Sequence, residues 1–305
     1  MGRWERALDA AGVEQASLRS DYFRVRAQAS AFKHEIVLAA ELLLPERLVA
    51  HVIAAIAFMH RTDVLLDSGP VADRKESYEA WEREVTEALA AHQSGDPELR
   101  PLLHTIAVHP ALHDRVLDYL ASADLDLEFT GFAAEADYQT YVEGYSLPAF
   151  MLVATLLGPD GDQEAYRAAC RGYIEAIQRL DFVNDLAEDL ANDRLTIPAQ
   201  TLEQHRVTRA DLEQARDLPT VRALIADQLD RVERGLGAGR AAIDLAPPAS
   251  RPMLRCMIRL DALTVAAARA DVPALLRRPA SCPKFAAVRV LGREYLSARR
   301  TRRAY

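Results

Sequence analysis

The sequence is poor in cysteine and in aromatic residues. It contains three cysteines at widely separated positions and two tryptophans, and 7% of its residues are aromatic. An odd, dispersed set of cysteines excludes a disulfide framework and a thiolate zinc site as organising features. Residues 1–20 contain no apolar core of the signal-peptide type, and the longest apolar runs are shorter than a bilayer requires. We therefore expect a cytoplasmic protein.

The sequence also lacks an excess of positive charge and any sustained alternation of apolar and polar residues. Its formal net charge of -8 argues against a general nucleic-acid binder. Half of its residues are apolar, and alanine, leucine, arginine and glutamate are abundant, which favours helices. We predict an all-α protein in which one domain, residues 1–305, surrounds a central cavity with helices.

Periodicity and breaking residues predict where the helices lie. Pro148 is expected to kink one helix, and the glycines at 235, 237 and 239 are expected to end another. A further helix begins at Pro45. The other predicted helices cover residues 13–44, 76–92, 99–108, 110–123, 138–157, 163–190, 209–214, 219–235 and 252–270.

The most informative segment is QRLDFVNDLAED, residues 178–189. As a helix it places four acids, Asp181, Asp185, Glu188 and Asp189, on one face at spacings i, i+4, i+7 and i+8. The turns before it carry apolar residues on the same stripe, so the acids stand where a core-facing surface should continue. Inward like charges are costly, which indicates that cations neutralise them.

A second acidic pair lies at the end of another apolar helix. The stripe formed by Val49, Val52 and Ile56 runs into Asp63 and Asp67, and SGP at 68–70 ends the helix. Two inward carboxylate clusters on separate helices provide the hard oxygen ligands that Mg²⁺ prefers. Magnesium held by few carboxylates keeps open positions for phosphates, so we predict an enzyme that binds a diphosphate through Mg²⁺.

These segments resemble the squalene/phytoene synthases, the head-to-head branch of the trans-prenyl synthases. RTDVLLDSG at 61–69 is similar to the first aspartate-rich motif of that family, and residues 178–189 are similar to the second. Intervening positions such as Tyr119, Tyr141 and Gly158 follow the family order. The resemblance covers about residues 24–284, and it implies the isoprenoid synthase fold and prenyl diphosphate chemistry.

The resemblance also implies residue roles. Mg²⁺ would be bound by Asp63, Asp67, Asp185 and Asp189, with help from Asp181 and Glu188. The diphosphate oxygens would be held by Arg61, Arg194, Arg278 and Lys284. Further substrate contacts are expected of Gln178, Lys33 and His60, and Tyr141 and Tyr145 would line the cavity and stabilise a cation.

Several positions depart from the family pattern. Asp181 and Asn184 stand where asparagine and arginine are usual, and His60 replaces an arginine of the first motif. Leu147 and Phe150 occupy positions of glycines that would give room to a second long prenyl chain. These departures fit a branch that resembles phytoene-synthase-like prenyltransferases of secondary metabolism. Such enzymes transfer a short prenyl group, here dimethylallyl, to an aromatic acceptor of the carbazole type.

Aromatic substitution needs a base for the departing ring proton, and Glu143, His60 and Asp124 are the candidates. The alternatives are a head-to-head squalene or phytoene synthase, a terpene cyclase on the same scaffold, and an inactive assembly protein. The buried acids count against the last of these. The basic tail, residues 289–305, is either a solvated segment or a transient contact with an anionic membrane surface.

Overall fold

α-Helices build the whole of the described structure, as the all-α prediction requires. The structure is a computed structural model that describes residues 1–67, 69–122, 124–127 and 129–304. Within these residues no strand forms, and one parallel bridge joins Gly131 to Leu195. Ser68 and the side chain of Asp124, to which the sequence assigned roles, lie outside the described part.

The observed helices cover much the same residues as the predicted ones, but there are more of them in the described part of the chain. A π-helical turn, Val142–Ser146, separates the eighth from the ninth. In chain order the α-helices are α1 (Arg3–Ala10), α2 (Ala16–Leu43), α3 (Glu46–Asp67), α4 (Val71–Ala91), α5 (Leu99–Val108), α6 (Leu112–Leu120), α7 (Asp124–Leu127), α8 (Glu135–Tyr141), α9 (Leu147–Leu157), α10 (Gln163–Asn184), α11 (Leu186–Ala191), α12 (Ala199–His205), α13 (Arg209–Glu213), α14 (Pro219–Leu245), α15 (Arg251–Ala270), α16 (Val272–Leu275) and α17 (Lys284–Ala304).

The helix carrying the first acidic pair, α3, lies in the core. Its residues from Leu48 to Phe58 are all buried, so it is apolar around its whole circumference. Around it extends a large hydrophobic cluster, while a second cluster forms between α10, α14 and α15. Phe150 and Met257 pack against both clusters and join them.

The glycines at 235, 237 and 239 do not end a helix, which corrects the prediction. Helix α14 continues through them to Leu245. A Cβ atom on Gly235 would lie 2.6 Å from the Cβ of Ala176, and one on Gly239 would lie 3.0 Å from the ring of Tyr173. These glycines therefore allow α14 to approach α10 closely, which outweighs their low helix propensity.

The distortion expected at Pro148 lies one turn earlier. The π-helical turn at Val142–Ser146 precedes the proline, which then occupies the first turn of α9. Proline cannot donate to the carbonyl four residues before it, and its ring clashes with that carbonyl. The wider π turn relieves the clash between the proline ring and that carbonyl. Its extra residue rotates all later side chains by about 100° relative to a continuous α-helix.

By length and composition alone, two helical segments could cross a bilayer. The apolar runs of the sequence had indicated that none was long enough for this. The two segments are α3 and Glu135–Leu157. Within the protein, 67% and 56% of their most apolar stretches are buried. This burial is typical of core helices of a folded domain.

Candidate active site

Asp63 and Asp67 lie on the last turn of α3, where the buried helix reaches an open pocket. The Tyr145 hydroxyl donates to Asp63 Oδ1 at 3.2 Å. Burial, and then the neighbouring charge of Asp67, raise the pKa of Asp63 to about 6. The pKa of Asp67 is also raised, first by burial. Both shifts show that a nearby cation would stabilise this pair.

The second acidic cluster is divided between two helices, which corrects the prediction of one continuous helix. Helix α10 ends at Asn184, and α11 begins at Leu186 after a residue of non-helical ψ, Asp185. The pKa of Asp189 rises to about 6 and that of Asp185 rises too, in both cases first because of burial. Oδ2 of Asp189 is buried without a hydrogen-bond partner within the described structure. An unpaired buried carboxylate oxygen is a natural ligand for a cation.

The two clusters face one pocket, as the sequence predicted. A cavity of about 650 Å³ is lined by Asp67 from the first cluster and by Asp185, Glu188 and Asp189 from the second. Arg194 also lines it, with Nη1 at 3.7 Å from Asp67 Oδ1. Four of the six sequence-predicted carboxylates and Arg194 thus line one cavity, whereas Asp63 and Asp181 are not among its lining residues.

Two residues of this pocket were not assigned a role from the sequence. Asp126 is buried and receives hydrogen bonds from the Tyr141 hydroxyl at 2.7 Å and from Arg194 Nη2 at 3.3 Å. Arg74 donates to the carbonyl of Leu66 at 2.9 Å and lines the same cavity. Asp126 therefore orients Tyr141 and Arg194, and Arg74 adds a second cation for a diphosphate.

A further pair of carboxyls lies toward α15. The side chain of Asp181 is exposed to solvent, yet the protein atoms around it desolvate the carboxyl and raise its pKa to about 7. Asp261 of α15 accepts a hydrogen bond from the Tyr173 hydroxyl at 2.6 Å, and burial raises its pKa to about 6. The positive charge of Lys33 acts on both carboxyls and opposes these increases. Asp261 was missed, although it interrupts an apolar stripe of α15, the same signal that revealed the other acids.

Aromatic rings cover one wall beside the carboxylates. Phe129, Phe132, Tyr141 and Phe182 contact one another with ring centroids 4.6–6.0 Å apart. The guanidinium of Arg194 lies over the Phe129 ring at 5.2 Å. Aromatic faces stabilise a positive charge, so this wall suits a carbocation.

Two of the predicted site residues point elsewhere. Arg61 Nη1 lies 2.8 Å from Asp96 and 3.0 Å from Glu98, and its guanidinium covers the Trp81 ring at 3.9 Å. Arg61 therefore binds residues of α4 and of the segment before α5, and its guanidinium does not face the carboxylate pocket where a diphosphate would bind.

Glu143, the other residue that points elsewhere, is exposed. It pairs with Arg167 at 2.8 Å and with Arg171 at 3.4 Å. The π-helical turn directs it outward, and its two arginine partners stabilise the anion, so it is not placed to accept a ring proton.

Leu147 and Phe150, which were predicted to narrow the same cavity, contact different parts of the protein. Leu147 is fully buried and faces a separate cavity of about 300 Å³ that Gly144 also lines. Only Phe150 turns toward α10, where its ring meets that of Tyr173 with centroids 5.7 Å apart. The π-helical turn changes the register of Gly144 relative to the other two positions, whereas Leu147 and Phe150 both follow the turn and lie about 60° apart around α9.

Four other predicted substrate contacts lie at the edges of the site. Gln178 Oε1 accepts a hydrogen bond from the Ser146 hydroxyl at 3.0 Å. His60 stacks on Phe32 with centroids 3.8 Å apart, and burial and the charge of Lys33 lower its pKa. Arg278 and Lys284 are exposed in the segment around α16 and the start of α17.

The carboxylates alone do not form a complete metal shell. Among the described residues, no three histidine, cysteine, aspartate or glutamate side chains are close enough to hold an ion together. Mg²⁺ is commonly bound by one or two carboxylates, with substrate phosphates and water completing the octahedron. The unpaired oxygen of Asp189 and the raised pKa values of Asp63 and Asp189 fit such partial coordination.

An all-helical fold with two carboxylate clusters around one pocket defines the isoprenoid synthase class. The squalene/phytoene synthase family model matches residues 35–286, and the chain belongs to this family. Squalene and phytoene synthases are prenyltransferases.

Individual relatives agree with this assignment. The bifunctional protein CrtB/UppS of Streptomyces coelicolor is 29% identical over 219 residues, which are 72% of this chain and 38% of that longer protein. The squalene synthase HpnC from Alicyclobacillus acidocaldarius is 25% identical, with a TM-score of 0.73 over 88% of this chain and 99% of that one. A dehydrosqualene synthase, 17% identical over 94% of this chain and 98% of its own, has a TM-score of 0.82 and shows the fold alone.

Proposed function

We propose that this protein is a Mg²⁺-dependent enzyme that ionises an allylic prenyl diphosphate and transfers the prenyl group to a carbon acceptor. One observation carries the proposal: Arg194 lies between Asp67 and Asp126 in a pocket that the second acidic cluster also lines. Acids and a cation arranged in this way suit a metal-bound diphosphate, because the ions bind its oxygens and the arginine adds hydrogen-bond donors.

Each group would have a definite task. Mg²⁺ held by Asp63, Asp67, Asp185 and Asp189 would stabilise the charge that develops on the leaving diphosphate. Arg194 and Arg74 would hold its oxygens, while the Tyr145 hydroxyl keeps Asp63 oriented. The C–O bond breaks to give pyrophosphate and an allylic cation, which then forms a C–C bond and loses a proton.

For the acceptor, a second prenyl diphosphate is the first candidate, since this is the reaction type of the family. The main steric argument against it is weaker because Leu147 does not face the site. Head-to-head coupling would join two prenyl chains in the interior between α2, α9, α10 and α15. The predicted cytoplasmic location suits either acceptor and stays a prediction.

An aromatic acceptor of the carbazole type is the second candidate, and one observation favours it. Asp181 of α10 and Asp261 of α15 are close enough for their charges to interact, and two such carboxyls do not suit the apolar walls that a second hydrocarbon chain would need. A ring that carries N–H or O–H groups could donate to these carboxylates, and one of them could accept the ring proton. This role replaces the one predicted for Glu143.

Incubation with Mg²⁺ and dimethylallyl, geranyl or farnesyl diphosphate tests the proposal. Each donor should be tried alone and with hydroxylated carbazoles, and the products analysed by mass spectrometry. Presqualene diphosphate, squalene or phytoene from the donor alone would establish head-to-head coupling. A prenylated carbazole would establish the aromatic acceptor. A cyclised hydrocarbon would indicate a terpene cyclase, and failure of every donor to release pyrophosphate would contradict the proposal.

A further inference from the structure

The last helix, α17, exposes large apolar side chains to solvent. Phe285, Val288 and Leu296 are 95%, 68% and 56% exposed. At 100° per residue, these three side chains point within about 80° of one another around the helix axis. Scattered exposed apolar residues are ordinary, but an aligned set on one helix face indicates a surface that is covered by a partner.

The charge of the same helix is opposite to that of the chain. Residues 284–304 contain seven lysines and arginines and one acid, Glu294, whereas the whole chain has a net charge of -8. Glu294 points inward, is 1% exposed and pairs with Arg255 and Arg259 of α15. The outer face of α17 therefore carries positive charge without an acid.

Several of these arginines are free to bind an external anion. Arg289, Arg293 and Arg300 are exposed, and none of them forms an ion pair with another described residue. Arg293 and Arg300 line a cavity of about 560 Å³ together with Leu296 and with Arg255 and Arg259, whose charges are partly balanced by Glu294 in the same lining. One exposed apolar side chain thus borders a depression rich in guanidinium groups, which bind phosphate oxygens well.

Helix α17 also begins close to the candidate active site. Asn184, the last residue of α10, forms two hydrogen bonds with Ala280, which lies four residues before Lys284. The next residue after Asn184 is Asp185, a member of the second acidic cluster. The exposed Phe285 is therefore connected to the rim of the diphosphate pocket by a short, anchored segment.

We propose that the outer face of α17 is a docking surface for an anionic lipid bilayer. Phe285, Val288 and Leu296 enter the interface, and Arg289, Arg293 and Arg300 contact lipid phosphates. Basic residues flanking an apolar stripe are the pattern of helices that lie in a membrane surface. A second copy of the chain fits this face less well, because symmetric pairing would bring arginines against arginines.

The docking itself does not depend on the proposed reaction. If that reaction is correct, the bilayer supplies a place where an amphiphilic prenyl diphosphate or a hydrocarbon product partitions near the pocket. Binding to vesicles and release of pyrophosphate are separate measurements, so the failure of one is distinguishable from the failure of the other.

Co-sedimentation of the full chain with vesicles tests the proposal. We expect binding to vesicles that contain 30% phosphatidylglycerol to be at least about tenfold stronger than binding to pure phosphatidylcholine, and to weaken at high salt. The double variant Phe285→Glu/Leu296→Glu should lose at least about tenfold in binding to the anionic vesicles. Arg293→Gln/Arg300→Gln should lose binding and also flatten the salt dependence.

The control is Val108→Glu at the end of α5, which is 48% exposed and lies outside α17. It should bind anionic vesicles like the unmodified chain. All variants should keep the circular dichroism spectrum and the thermal shift produced by Mg²⁺ with pyrophosphate, which shows that folding and the pocket are intact. Equal binding to both vesicle types, no binding, or a dimer in light scattering that Phe285→Glu dissociates would overturn the proposal.

Discussion

The side chain of Asn184 is hydrogen-bonded to both backbone polar groups of Ala280. Asn184 Nδ2 donates to the Ala280 carbonyl at 3.1 Å, and the Ala280 N–H donates to Asn184 Oδ1 at 2.7 Å. The family usually has arginine at position 184, so this chain uses the position differently. The contact fixes the segment before α17 against the end of α10, beside the acidic cluster.

Asn184→Ala should release this segment. Two hydrogen bonds are lost, at about 1 kcal/mol each, so the free energy of unfolding should fall by about 2 kcal/mol. Urea denaturation followed by circular dichroism measures this loss. The local effect should be larger: trypsin should cut after Arg277 faster than in the unmodified protein.

Asn184→Asp keeps the acceptor for the Ala280 N–H but places a carboxylate oxygen opposite the Ala280 carbonyl. Its trypsin cleavage should therefore also be faster. An unchanged cleavage rate in both variants would show that the pair does not hold the segment in place.

Neutralising one acid from each cluster should stop the reaction without unfolding the protein. Asp63→Asn and Asp185→Asn each keep the side-chain volume but remove a charge that the folded protein disfavours when no cation is bound. Pyrophosphate release should fall by about a hundredfold or more, since charge stabilisation of the leaving group is weakened. The control, Asp244→Asn on the exposed side of α14, should keep full activity.

Mg²⁺ and pyrophosphate should stabilise the protein together more than the sum of their separate effects. The pocket has too few ligands to complete an octahedron around an ion, and pyrophosphate supplies the missing oxygens. Each therefore increases the affinity for the other, and stabilisation follows the occupancy of both. A scanning calorimetry series with each ligand alone and with both measures the linkage; additive shifts in Tm would speak against a shared site.

The stability effect of Asp181→Asn should depend on pH. The pKa of Asp181 is about 7 in the folded protein, well above the ordinary aspartate value of 3.8. The folded state therefore binds this proton more tightly, so the stabilisation is complete below about pH 4 and is lost as pH rises through 7. At pH 8 the unmodified protein holds an unfavourable anion, which asparagine removes.

Without metal, Asp181→Asn should therefore raise Tm at pH 8, by on the order of 2–4 °C because the side chain still contacts solvent. The gain should shrink toward pH 5. Thermal melts at both pH values measure it, with Asp244→Asn as the control. A gain that grows as pH falls would contradict the assigned environment of Asp181.

The sequence was sufficient to predict the carboxylate clusters because an acid on an apolar stripe is a local pattern. Asp63 and Asp189 were found in this way: Asp189 lines the pocket, and Asp63 lies close to Asp67, which also lines it. Asp126 and Arg74 were not assigned, because an isolated charge on a short or polar helix has no local signature. Their roles depend on which helices pack together.

The direction of side chains near Pro148 was predicted wrongly for a different reason. The prediction assumed 3.6 residues per helical turn throughout. The π-helical turn at Val142–Ser146 contains more residues per turn, which shifts the direction of the side chains that follow. Glu143 consequently points to the surface, and Leu147 points to another cavity. A proline four residues after a possible acceptor carbonyl is the sequence feature that could have indicated this distortion.

Phe150 and Leu147 offer a matched pair of substitutions that tests which side chain limits the cavity. Phe150 packs on Tyr173 at the junction of the two hydrophobic clusters, whereas Leu147, about 60° away around α9, is buried and lines a separate cavity. Phe150→Ala should open space next to Tyr173 and admit longer donors. Leu147→Ala should leave the donor preference unchanged and lower the free energy of unfolding by about 2–5 kcal/mol, as for a buried leucine.

Relative kcat/KM for dimethylallyl, geranyl and farnesyl diphosphate measures the preference. In Phe150→Ala it should shift toward the longer donors by about tenfold, since each additional buried methylene contributes on the order of 1 kcal/mol. Urea denaturation of both variants separates this effect from general loss of stability. If Leu147→Ala rather than Phe150→Ala changes the donor preference, the prenyl chain extends toward the cavity lined by Leu147, and the position assigned to it is wrong.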